Sequence, residues 1–231
     1  NTDRTARFIE ILKSAEFSQT LNKEHPLHLQ QNIVDPRFAN TDYRDFQNYV
    51  GEQAHAYHQK LHYICPKAED IVTLMEGFFY CLGRMLESSI SPVVTAAVIS
   101  FSFVFIHPFE DGNGRLHRFL VHYVLSQLNF TPPGVIFPIS TVILKERKLY
   151  DEILESFSRP LMEILKNYRL SDEGELFVLE ESLLYYLSVD YTKFAEFLFS
   201  CIEQTIESDF KYELQFIANY DQVKSSIQNV I

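Results

Sequence analysis

The sequence predicts a mostly α-helical domain with a short β-hairpin flap. Three observations carry this. Apolar residues recur three and four positions apart through most of the chain. Only seven glycines stand beside nine prolines, and runs of alternating β-branched residues are few. One stretch, residues 51–64, lacks a helical stripe and holds three histidines, so it reads as an extended hairpin or irregular flap.

Taken in order, Thr5 to Ser18 reads as a helix with Phe8, Ile11 and Leu12 on one stripe, and Pro26 to Ile33 as a second, shorter one. Asp35-Pro36-Arg37 and Asn40-Thr41-Asp42 punctuate a loop. After the flap, Ile71, Leu74, Met75, Phe78, Phe79 and Leu82 recur at helical spacing. Ser91-Pro92 opens the next helix, serine as N-cap and proline at the first helical position. That helix runs to Ile106 before Pro108 breaks it. Another follows from Asn113 to about Leu128, ended by Thr131-Pro132-Pro133-Gly134. Ile143 to Leu154, Pro160 to Tyr168, Glu175 to Leu187, Lys193 to Glu207 and Phe210 to Tyr220 are the later helical expectations. No internal repeat or linker appears. The chain divides into an amino-terminal helical extension (1–39), a core (40–165) and a carboxy-terminal helical extension (166–231) packed on it.

Composition narrows the function. With 231 residues, 46% of them hydrophobic and including 20 Phe and 13 Tyr, the chain can bury a core and is no disordered segment. A net charge of −11 argues against a general nucleic-acid surface. Cys65, Cys81 and Cys201 are odd in number and widely spaced, which suits buried thiols in a reducing, cytoplasmic setting. The most apolar run, Val93 to Ile106, is too short to span a bilayer and reads as a buried helix, so no membrane role is expected.

Chemistry concentrates in His107-Pro108-Phe109-Glu110-Asp111-Gly112-Asn113-Gly114-Arg115-Leu116-His117-Arg118. A buried helix ends on a histidine. Two glycines then let the backbone curl so that amides point inward. A helix amino terminus adds unsatisfied donors, and its first turns carry Arg115 and Arg118 on one face. This is an anion-binding cup suited to phosphate. Asp111 at its lip would be repelled by phosphate unless it holds Mg²⁺. His107 is the candidate general base, its helix-terminal position expected to favour the protonated form somewhat. Phe109 is expected to point into the core. A Gly-x-Gly turn or an Arg pair alone is ordinarily structural; eight fixed positions within twelve residues are not.

This stretch resembles the Fic-domain motif, His-x-Phe-x-(Asp/Glu)-Gly-Asn-Gly-Arg-x-x-Arg, at every fixed position. Tyr43 to Gly51, Pro66 to Leu86 and Ser140 to Leu154 extend the resemblance over residues 40–165. The resemblance implies a helical enzyme that transfers AMP from ATP to a hydroxyl side chain of a target protein, with self-modification as one outcome. It implies His107 as the base and Asp111 as the Mg²⁺ ligand. Gly112, Asn113 and Gly114 would cradle phosphate oxygens, with Arg115 at the β-phosphate and Arg118 at the γ-phosphate. Lys60, Leu61 and His62 of the flap would line the nucleotide and clamp an extended target segment, and Tyr150 would lie on the base side. Removal of AMP, another nucleotide donor, or a non-catalytic nucleotide-binding regulator are the alternatives.

Many relatives carry a Tyr-Tyr pair at the base pocket; here it is Leu149-Tyr150. Many are also restrained by a helix bearing Ser/Thr-x-x-x-Glu-(Gly/Asn). Glu76-Gly77 and Glu173-Gly174 lack the leading hydroxyl residue, so such a helix is expected to be absent or to precede Asn1. His55, His58 and His62 form no recognisable zinc spacing and read as solvated flap histidines. His117 reads as a partly buried histidine and Cys65 as an inert thiol.

Overall fold

A computed structural model of the chain describes residues 21–210 apart from 23, 56–57, 132–137 and 172. The helices expected at Thr5 to Ser18 and beyond Phe210 lie outside these residues. The helical elements are α1 (Glu24–Ile33), α2 (Ile71–Leu86), α3 (Pro92–Ile106), α4 (Asn113–Gln127), α5 (Ile139–Lys145), α6 (Arg147–Ile164), α7 (Leu183–Leu187) and α8 (Thr192–Gln204). The strands are β1 (Tyr49–His55) with β2 (His58–Ile64), and β3 (Tyr168–Leu170) with β4 (Leu176–Val178), both pairs antiparallel.

α3 is the axis of the fold. It buries Val93, Ala96, Ala97, Ile99, Phe101, Phe103, Phe105 and Ile106, residues that lie all around its circumference. A helix apolar on every side needs neighbours on every side. α4 packs along it, α2 and α8 flank it, and α5 and α6 close against α8. Phe101 sits at the crossing, with ring centroids 4.7 Å from Phe194 and 4.6 Å from His117. Pro92 occupies the first turn as expected, but Ser91 makes no side-chain cap bond, so proline's fixed φ is what starts α3.

The flap is a true hairpin. Gly51 sits beside a register shift, where a Cβ would fall 2.7 Å from the Lys60 carbonyl oxygen. Only glycine allows the two strands to approach there. The base of the flap rests on a second cluster of Ile64, Leu165 and Leu176, flanked by Tyr49, Leu61, Tyr168 and Val178. Tyr49 donates to the Gly174 carbonyl at 3.2 Å, and Tyr186 donates to the Ile64 carbonyl at 2.8 Å.

Three expectations need correction. Glu175 to Leu187 is not one helix. Gly174 turns with a φ of 87°, Ser171 and Glu175 close that turn, and Leu176-Phe177-Val178 pairs with β3 before the short α7 begins. Its period-2 burial, Leu176 in and Phe177 out, serves the cluster beneath the flap. Pro160 likewise does not start a new helix. It lies inside α6, which runs through to Ile164 because Leu161 beyond it is buried in the core. The stretch from Ile143 to Leu154 is in turn split between α5 and α6 at Glu146.

Truncating Phe101 to alanine leaves a void at the crossing of α3, α4 and α8. It should cost about 3–5 kcal/mol in urea unfolding, against near-neutrality for Phe199→Ala on the exposed face of α8.

Candidate active site

The loop between α3 and α4 builds the site. The His107 amide donates to the Phe103 carbonyl at 3.0 Å, and His107 then leaves the helix with φ 52° and ψ 56°. A left-handed turn at a residue with a Cβ is strained. It brings His107 Nδ1 to 3.2 Å from the Val104 carbonyl oxygen. Since a carbonyl only accepts, Nδ1 carries the proton and Nε2 is left with its lone pair. The ring is half-buried, and its pKa is pushed from 6.5 down to about 4, chiefly by burial, with Arg44 adding to the fall. The expectation that the helix terminus favours the protonated form is therefore reversed: loss of hydration outweighs the helix dipole.

Phe109 is fully buried, as expected, 5.7 Å from Tyr43 and 6.3 Å from Phe103 between ring centroids. The Asn113 side chain grips the turn from inside. Its Nδ2 donates to the Phe109 carbonyl at 2.8 Å, and its Oδ1 accepts from the Phe109 amide at 3.2 Å. Gly112 adopts a φ of 97°, and a Cβ there would meet Val34 Cγ1 at 2.8 Å. α4 starts immediately afterwards. The amides of Arg115 and Leu116 both bond the Gly112 carbonyl, while those of Asn113 and Gly114, at the first helical positions, have no intrahelical acceptor.

Asp111 and Arg115 form an ion pair at 2.7 Å one helical turn apart, and Asp111 Oδ1 also accepts from the Gly112 amide at 2.6 Å. Arg115 Nη1 donates to the Ile33 carbonyl at 2.9 Å, which ties the lip of the cup to the end of α1. Arg118 differs. It is half-buried, no carboxylate pairs with it among the described residues, and its pKa is lowered mainly by burial. A Cβ on Gly114 would stand 3.7 Å from Arg118 Nη1, so this guanidinium lies beside the first turn of α4. Two amides without an intrahelical acceptor and one cation that no described carboxylate pairs make a concentrated positive potential.

The metal question turns on Asp111. Among the described residues no group of three or more metal-ligating side chains occurs. A single half-exposed carboxylate at the mouth of a phosphate cup still fits Mg²⁺, which keeps its waters and takes few protein ligands beside phosphate oxygens.

Most of the remaining candidates sit on other elements. Lys60 and His62 lie on the flap, 3.7 Å and 3.3 Å from Glu52. Leu61 turns into the cluster under the flap. Tyr150 packs 5.6 Å from the His117 ring and senses the charge of Arg118. His117 is fully buried, not partly, with the Ser100 backbone as a polar contact that partly offsets the effect of burial on its ring. Cys65 is buried, and its thiol pKa is pushed up to about 12 by burial, as an inert cysteine requires. All three cysteines are free. Glu76 lies on an exposed position of α2.

Two residues of the site had no signal in the sequence. Gln30 on α1 is wholly buried, donating to the Asp111 carbonyl at 3.2 Å and to the Asn40 side chain at 2.7 Å. Arg44 is 3% exposed and binds the His107 carbonyl at 2.8 Å. A lone Gln or Arg amid polar neighbours looks like any solvated side chain, because its partners are backbone carbonyls far away in sequence.

The Fic/DOC family model matches residues 20–125, which span α1, the flap and the whole cup. Residues 20–125 are thus similar to the Fic/DOC family. The chain is 35% identical over 105 residues to the protein adenylyltransferase Fic of Drosophila virilis, a match covering 46% of this chain and 19% of that protein. The counterpart in Drosophila melanogaster matches with the same identity and coverage. The aligned part is thus about a fifth of the length of these curated relatives. Among solved structures, a Fic domain containing signaling protein from Bacteroides thetaiotaomicron superposes with a TM-score of 0.58 at 20% identity, covering 88% of this chain and 68% of that one. A Fic family protein from Desulfovibrio desulfuricans gives 0.56 at 20% identity, covering 91% and 53%. These two likenesses show the fold.

Two outcomes follow from this geometry. Gly112→Ala must strain a left-handed backbone and displace Val34, so urea unfolding should show a loss of at least about 1–2 kcal/mol. The second concerns pH. His107, His117 and His122 are each held neutral by burial, with pKa values of about 4 against an ordinary 6.5. The unfolded chain binds these protons below pH 6.5; the folded chain does so only near 4. Stability should therefore fall as pH drops through that window, by up to about 1.4 kcal/mol per pH unit for each histidine. Urea melts at pH 7 and pH 5 measure this, and His117→Phe should flatten the dependence.

Proposed function

We propose that this chain transfers AMP from ATP to a hydroxyl side chain of a target protein. The observation that carries the reading is the orientation of His107. Its Nδ1 is occupied by the Val104 carbonyl, so Nε2 is a neutral acceptor beside an anion cup. A site that only held nucleotide would not need an aimed base. The naming of Drosophila relatives as protein adenylyltransferases supports the same reading.

In this scheme the amides of Asn113 and Gly114 bind phosphate oxygens, and Arg118 meets the terminal phosphate. Arg115 keeps Asp111 and the lip in place from below. His107 Nε2 takes the proton of the target hydroxyl as its oxygen bonds the α-phosphorus, and pyrophosphate leaves. Asp111 would hold Mg²⁺, which neutralises phosphate charge when bound. Most of the acceleration comes from placement and from fixed positive charge, as in phosphoryl transfer generally. The flap strands offer backbone donors and acceptors to an extended target segment. Transfer onto a hydroxyl of the chain itself obeys the same chemistry. Among the described residues no helix is long and apolar enough to cross a membrane.

Incubation with ATP labelled at the α-phosphate, Mg²⁺ and a cell lysate tests the proposal. Label should appear on protein, self-label included, and should vanish with His107→Ala and with Asp111→Asn. ATP labelled only at the γ-phosphate should leave no mark. Retention of label by His107→Ala, or γ-label on protein, would overturn the reading.

A further inference from the structure

Arg44 lies behind the site on the segment leading into the flap, and its planar fork reaches three separate pieces of chain. Nε donates to the His107 carbonyl at 2.8 Å, Nη1 to the Phe46 carbonyl at 2.7 Å and Nη2 to the Pro66 carbonyl at 2.6 Å. The Arg44 amide adds a bond to the Pro108 carbonyl at 2.9 Å. Phe46 stands where the chain enters the flap, Pro66 where it leaves, and His107 at the turn that presents the base. No ion pair involves Arg44 among the described residues.

Burying a cation without a carboxylate is unfavourable. A residue needed only for packing would be replaced there by an apolar side chain. The donors of Arg44 are instead spent on backbone carbonyls whose positions matter to the site. Releasing the His107 carbonyl would let its strained left-handed peptide rotate back, and the ring would leave the Val104 carbonyl that sets its tautomer. Lysine cannot take the place, because a single ammonium cannot span three divergent acceptors.

We propose that Arg44 is a positioning residue that locks the His107 ring and both ends of the flap in one register, so that the base meets a hydroxyl held by the flap. This rests on the reading of His107 as the base. Gln47 supplies the comparison. Its Nε2 donates to the Cys65 carbonyl at 2.7 Å, so it too ties the flap base, yet it does not touch His107.

The test uses the full chain with Arg44→Lys, Arg44→Met and Gln47→Ala. Nitrogen-15 spectra of the imidazoles report the His107 tautomer, calorimetry reports ATP binding, and α-label transfer gives kcat and KM. In the wild type His107 should be the Nδ1–H tautomer. Both Arg44 variants should mix tautomers and lose about 10²-fold in kcat, as a misplaced base does. Their KM for ATP should stay within about twofold, and kcat of Gln47→Ala within about threefold. A retained Nδ1–H tautomer in both Arg44 variants overturns the proposal, as does an equal loss of kcat in Gln47→Ala. Loss of ATP binding or of a cooperative melt in Arg44→Lys does so as well, since it makes Arg44 a strut of the fold. If the wild type transfers no label, the AMP-transfer reading falls, while the tautomer comparison still decides the role of Arg44.

Discussion

The site depends on one backbone event, the left-handed exit of His107 from α3. A residue with a Cβ does not stay there unaided, since the conformation is disfavoured by roughly 1–2 kcal/mol. It persists because it is held on both sides. The Phe103 carbonyl takes the His107 amide, and Arg44 takes the His107 carbonyl. With that peptide fixed, the chain drops Phe109 into the core, and Asn113 closes the turn through two bonds to the Phe109 backbone. The amino terminus of α4 then arrives at the mouth of the cup. Removing the constraint at His107 would release its ring, the cup and the lip together.

What makes the constraint tolerable is the helix behind it. α3 is buried around its whole circumference, so its carboxy terminus cannot drift. Rigid burial has an electrostatic consequence as well. The same packing that fixes His107 removes water from it and keeps it neutral. His117 and His122 on α4 are shifted the same way by the same cause. A neutral His107 and an efficient core are here products of one arrangement, and the acid sensitivity expected of the fold comes with them.

The parts of this architecture that were legible in sequence are those with a local signature. Helical stripes marked α2, α4 and α8, an apolar run opened by Ser91-Pro92 marked α3, the break in pattern marked the flap, and the density of fixed positions marked residues 107–118. The β3–β4 hairpin was hidden because Glu175 to Leu187 carries an apolar density that satisfies a helical pattern equally well. What decides it is Gly174 and the need for Leu176 beneath the flap, a contact with Ile64 more than a hundred positions away. Pro160 misled for the opposite reason. A local breaker was overruled by Leu161, whose burial continues the helix past it. Gln30 and Arg44 were invisible because polar side chains that serve distant carbonyls leave no periodicity behind.

Charge presents the last apparent conflict. A chain of net charge −11 carries the proposed site for a polyanion. The two facts live at different ranges. Exposed carboxylates act through water and are screened beyond about 8–10 Å at ordinary ionic strength. Arg118 and the first amides of α4 act at contact, in a half-buried setting where screening is weak. Arg115 and Asp111 cancel one another at the lip, so the uncompensated positive charge is confined to the floor. Arg44, likewise paired with no carboxylate among the described residues, gives its donors to the His107, Phe46 and Pro66 carbonyls. The two arginines show how one side-chain type does two jobs within one site. One meets no carboxylate among the described residues, as the proposed phosphate contact requires, and the other is completed by the backbone, as the proposed positioning role requires.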